Sequence, residues 1–204
     1  MDNWRKNRWT IYYGITWVFF VAKAISIIPW MINSTELYSF TRPATLPLKI
    51  VAMLITFSLF QVLRYFRESP YILSSVYIVL ANDVFFLLVG DKLLSLAMLS
   101  FVSLPIALYY IICLFFVKAP EVSAHFRRLA IVDIALLVAA YFYWLYAVLH
   151  WPYPMAIYRI RLLLQIAPYI AILPILQTMR KLTSDYATSI EKDIANIGEP
   201  IGDR

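Results

Sequence analysis

Charge is scarce in these 204 residues: 15% are Asp, Glu, Lys or Arg, while 62% are apolar. A soluble protein with that balance lacks the polar surface to cover itself, and its helices would alternate apolar and polar faces. Residues 131–149 instead carry a single charge, Asp133, and residues 93–117 carry none. Cysteine is scarcer still. Cys113 stands alone, so no internal disulfide and no C-x-x-C redox pair exist. The two histidines, His125 and His150, lie about 37 Å apart if one helix carries both, which excludes their ligating one metal or haem within a subunit. There is no H-E-x-x-H, no G-x-S-x-G elbow and no G-x-x-x-x-G-K-[ST] phosphate loop. No metal, no cofactor and no direct nucleic-acid binding is expected. The net charge of +6 fits contact between a basic membrane face and anionic lipid.

What fills the chain is apolar sequence in lengths that match a bilayer. A hydrocarbon core of roughly 30 Å needs about 20 helical residues, and six stretches qualify: 9–31, 48–64, 71–89, 93–117, 129–149 and 156–176. The expected fold class is all-α, a polytopic integral membrane helix bundle with six transmembrane helices over residues 1–176, followed by a cytoplasmic amphipathic tail over 177–204. Gly90-Asp91-Lys92 makes the tight turn between the third and fourth spans. The sixth span carries Arg159 and Arg161 at its outer end and Pro168 and Pro174 within it, so a kinked or re-entrant segment, leaving five spans, is the alternative. Arg5 and Lys6 before an apolar run, with Ala22-Lys23-Ala24, imitate a signal peptide, but apolar residues resume at Ile25 and the segment reads as an uncleaved helix.

Lys and Arg set the orientation. With a cytoplasmic N-terminus, the inner connectors hold Arg5, Lys6, Arg8, Arg64, Arg67, Lys118, Arg127, Arg128, Arg180 and Lys181, against Arg42, Lys49, Lys92, Arg159 and Arg161 outside. That asymmetry follows the positive-inside bias and predicts an integral protein of a bacterial inner membrane. Trp4, Trp9, Tyr12, Tyr13, Tyr65 and Tyr71 would ring the inner interface, and Trp30, Tyr38, Trp151 and Tyr153 the outer one.

Ionisable groups inside spans are expensive and are the default functional candidates. Lys23 and Asp83 each fall about 4.5 Å beyond the bilayer centre, so a Lys23–Asp83 ion pair between the first and third spans is expected, either as a static tie or as a relay. Asn82 and Gln165 would extend a polar path. Asp133 lies one turn inside the membrane and is expected to be neutralised by Arg127 and Arg128. An outer cluster of Tyr141, Tyr143 and Trp144 with His150 and Trp151 is a candidate lining for a lipid-like substrate. In the tail, Leu182, Tyr186, Ile190, Ile194 and Ile197 recur at helical spacing and predict an amphipathic helix ending at Gly198, a contact surface for a cytosolic protein partner or for a second copy in a homo-oligomer.

Two stretches resemble known families. Ile11-Tyr12-Tyr13-Gly14-Ile15, and Gly90-Asp91-Lys92-Leu93-Leu94-Ser95-Leu96 opening a span that reaches Pro105, make residues 8–105 similar to the HTTM membrane-domain family, which is related to the vitamin K-dependent carboxylases. Leu149-His150-Trp151-Pro152 after an aromatic helix resembles a phrase in multi-pass proteins of the Bacteroidetes. Three functional readings follow: a non-enzymatic accessory component of an operon-encoded system such as antiphage defence, a small channel or carrier using Lys23 and Asp83, and a membrane-embedded enzyme on a lipid-like substrate.

Overall fold

The computed structural model describes residues 3–32, 39, 42–89, 96–149 and 155–197. Among them there is no strand, and the helices are α1 (Asn3–Met31), α2 (Thr45–Tyr65, entered by a 3-10 turn at Arg42–Ala44), α3 (Pro70–Val89), α4 (Leu96–Phe115), α5 (Pro120–Val148), α6 (Met155–Leu164) and α7 (Ala167–Ile197). Four stretches, Asn7–Met31, Thr45–Tyr65, Pro70–Leu88 and Tyr158–Tyr186, are long and apolar enough to cross a membrane, and Val102–Phe115 is a shorter apolar helix. The expected all-α helical bundle is present. The turn expected at Gly90-Asp91-Lys92 lies outside the described residues.

Proline sets several helix boundaries. Pro70 and Pro120 open α3 and α5, where the missing N–H costs nothing because the first turn has no acceptor for it. Pro168 divides the expected sixth span. Its ring opposes the carbonyl four residues back, on Leu164, which is where α6 stops, and Gln165 and Ile166 turn with short bonds to Leu162 and Leu163. Pro174, in contrast, lies within α7 without breaking it. The tail is consequently no separate element: α7 runs unbroken through Gln177 to Ile197.

The connector after α2 shows how two distant loops are fixed. Arg67 adopts φ 53°, its N–H donates to the Arg64 carbonyl and that of Glu68 to the Leu63 carbonyl. This is a Schellman closure, with arginine where glycine is usual. It turns Glu68 inward to 7% exposure, and Glu68 Oε1 accepts the backbone N–H groups of Lys118 at 2.8 Å and Ala119 at 2.7 Å. One carboxylate thereby joins the α2–α3 connector to the α4–α5 connector.

The helices pack in cyclic order, α1 against α2, α2 against α3, α3 against α4, α4 against α5, α5 against α7, and α7 back against α1, while α6 rests on α5 and α1. Packing is dense at the Glu68 end of this ring. Trp9, Leu59, Val62, Leu63, Val76, Leu114, Phe126, Leu129, Ile175, Leu176 and Met179 are all fully buried there. Ser58 and Ser75 are buried too, their hydroxyls donating to Ile55 and Ile72 carbonyls of their own helices, and small side chains of this kind let helices approach closely in lipid. On α3 and α4, Ser74 and the Tyr109 hydroxyl meet at 3.1 Å and Tyr109 donates to the Tyr71 carbonyl. Outward-facing positions such as Val18 and Leu88 remain 72% and 78% exposed, as lipid contact requires.

Candidate functional site

Away from the plugged end, the interior face of α1 turns polar. Phe19, Lys23, Ser26, Ile27 and Trp30 recur at three- and four-residue spacing and line one side of a 260 Å³ cavity, completed by Thr45, Leu48, Lys49 and Ala52 of α2, Leu162 of α6, Gln165, and Tyr169 of α7. The cavity lies where α1 packs against both α2 and α7, with α6 alongside. Phe19 and Tyr169 meet edge to face with ring centroids 4.5 Å apart. Lys23 is half-buried and Lys49 exposed. Measured along their helices, Lys23 is about 12 Å and Lys49 about 6 Å from the helix ends at that face.

Lys23 and Asp83 do not form the expected ion pair. No described carboxylate lies in the cavity lining, and α2 stands between α1 and α3 in the ring. Equal depth fixed the height of the two groups and left their angular positions free. Lys23 has a like charge, Lys49, as its companion instead.

Asp83 belongs to a second group. The carboxylates of Asp83 on α3 and Asp133 on α5 both lie within electrostatic reach of Tyr110 on α4 and Tyr169 on α7. Asp83 and Tyr169 come from helices that do not pack extensively on one another, so their influence is electrostatic and not a packing contact. Asp133 is not neutralised by Arg127 and Arg128, which are exposed. Five and six residues of helix place those arginines on roughly the opposite face, while Leu129 and Ala130, four and three residues before Asp133, are buried. Tyr169 is thus shared, lining the lysine cavity and facing the carboxylates. Gln165 lines the cavity, and Asn82 is half-buried on α3 and is not in the lining.

The outer aromatic cluster takes a different form from an open pocket. The Arg161 guanidinium lies over the Tyr143 ring at 3.9 Å, and Tyr143 and Tyr158 rings are 6.5 Å apart, while Tyr141 and Phe142 are exposed. The Trp144 side chain, His150 and Trp151 lie outside the described residues. In the tail, Leu182 is half-buried and Tyr186 is 60% exposed; the side chains of Ile190, Ile194 and Ile197 lie outside the described residues. No group of three His, Cys, Asp or Glu residues that could hold a metal occurs among the described residues.

Sequence reasoning passed over Lys49, Tyr110, Tyr169 and Glu68. Lys49 carried a usable signal, standing four residues into α2 on the face of Thr45 and Ala52. At the plugged end His125 keeps Nδ1 buried without a partner. Burial holds its imidazole below the usual range and the Arg128 guanidinium adds to this.

Four apolar stretches long enough to cross a membrane, packed in a ring with α4 and α5, make the class a helical bundle of the kind suited to a membrane. No protein-family model, no curated protein and no solved structure matches the chain.

Proposed function

We propose that this protein is a non-enzymatic carrier that holds a small polar solute inside its helix ring. One observation supports the reading: four polar side chains, Lys23, Lys49, Gln165 and Tyr169, line one cavity in a bundle whose opposite end is filled by buried apolar residues, and Asp83 lies within electrostatic reach of Tyr169. Intramembrane ionisable groups facing a bundle interior are the usual mark of a solute or ion path. By the positive-inside bias the plugged end is cytoplasmic in a bacterial inner membrane and the cavity faces outward. The test is solute-driven current or uptake in proteoliposomes containing the purified chain, with Asp83→Asn and Lys23→Gln as paired variants. Flux that falls at least tenfold in either variant supports a carrier; no flux above empty liposomes for phosphate, short carboxylates, amino acids or protons removes the reading.

A second reading, an accessory component that assembles through its tail, is favoured by the continuity of α7. Among the described side chains the last fully buried one is Met179, yet the helix extends to Ile197 with Tyr186 exposed. Deleting residues 184–204 should then abolish a defined oligomer while the bundle stays folded; an unchanged oligomeric mass in detergent argues against it. The lipid-enzyme reading has less support, because Arg161 covers the Tyr143 ring that would line its pocket.

A further inference from the structure

We infer that the Lys23–Lys49 cavity is the subsite for an oxyanion, a carboxylate or phosphate group carried on a small, partly apolar molecule. The inference rests on the carrier reading and supplies its substrate class. Two ammonium groups share 260 Å³ with no described carboxylate in the lining. Like charges in a partly desolvated space repel, and the cost of holding both falls when an anion enters between them. Among the described residues no carboxylate lines it: Asp83 and Asp133 are outside the lining and act electrostatically on Tyr110 and Tyr169.

The rest of the lining fits the same chemistry. Gln165 brings amide N–H donors and Tyr169 a hydroxyl, both suited to oxygen acceptors. Phe19, Ile27, Leu48 and Leu162 form apolar wall, which suits a short aliphatic tail. The 260 Å³ falls just below the usual range for small-molecule pockets, which suits an anionic group with a few carbons and not a two-chain lipid. A lipid would therefore insert only its headgroup.

The experiment is calorimetric titration of the full-length protein in nanodiscs of phosphatidylcholine, with sodium butyrate and with sodium phosphate at constant ionic strength set by chloride. A parallel set of nanodiscs contains phosphatidylglycerol. Saturable binding of butyrate or phosphate, weakened about tenfold or more in Lys23→Gln and in Lys49→Gln and regained in Lys23→Arg, identifies a free anion. Phosphate and butyrate binding that vanishes only in phosphatidylglycerol discs, with the lipid released by either Gln variant, identifies a headgroup in the same subsite. Lysine-independent binding, or no binding in either disc, overturns the inference. Should Lys23→Gln fail to fold, Lys49→Gln at its exposed position decides the matter. Binding without flux would keep the subsite and remove the carrier; flux of an uncharged or cationic solute that both Gln variants leave intact would do the reverse.

Discussion

Replacing Glu68 should cost more stability than any other single change at a connector. Its Oε1 accepts two N–H groups at 2.8 and 2.7 Å, those of Lys118 and Ala119, which immediately precede Pro120 at the start of α5. Hydrogen bonds to a charged acceptor are worth about 1.5–3 kcal/mol each. Glu68→Ala leaves both donors unpaired in a site where the native side chain is 7% exposed, so the expected loss is about 3–5 kcal/mol. Glu68→Gln retains an acceptor oxygen and loses only the charge, for about 1 kcal/mol. Glu68→Asp withdraws the carboxylate by one methylene and should resemble the alanine variant. Equilibrium unfolding in mixed micelles by added SDS, followed by tryptophan fluorescence, measures all three. If Gln is as damaging as Ala, or if Ala melts with the wild type, the carboxylate does not tie the connectors together.

Three further outcomes are expected. Arg67→Gly should stabilise the bundle by about 0.5–1 kcal/mol in the same unfolding assay, because a non-glycine residue at φ 53° carries a left-handed strain that glycine lacks. A double-mutant cycle of Lys23→Met and Asp83→Leu should show additivity within about 0.5 kcal/mol, as separated sites do; a larger coupling would restore the ion pair. For His125 the folded imidazole titrates below the unfolded value of about 6.5, so above that pH both states are neutral, and as pH falls below it the unfolded chain takes up its proton first. Stability should decline toward pH 5, and His125→Gln should flatten that part of the pH profile relative to wild type.

The helices were legible because long apolar runs leave few alternatives, and the break in the sixth span was legible in kind because two prolines stand in it. Which proline acts was not. Pro174 is flanked by buried Leu173, Ile175 and Leu176, so packing keeps α7 continuous across the lost bond. Around Pro168, residues 164–169 are only half-buried and packing does not oppose the break. The role of Glu68 could not be read at all: it depends on a Schellman turn meeting a connector fifty-odd residues away, and nothing local to Arg67-Glu68-Ser69-Pro70 announces the partner. The Asp133 error was avoidable, since helical periodicity alone sets Arg127 and Arg128 behind it.

Lys23 and Asp83 failed to pair for a reason that applies to any ring of helices. Counting residues gives depth at about 1.5 Å each, whereas meeting also requires adjacency, and that is decided by the order in which helices close the ring. With α2 between α1 and α3, the cations gather on the α1–α2 side and the carboxylates on the α3–α5 side, with Tyr169 of α7 facing both. A neutralised pair would have consumed the two charges and left the interior inert. Segregated, the lysines keep a cavity with no described carboxylate in its lining, and a cation that the surrounding side chains do not pair is available to an anionic ligand.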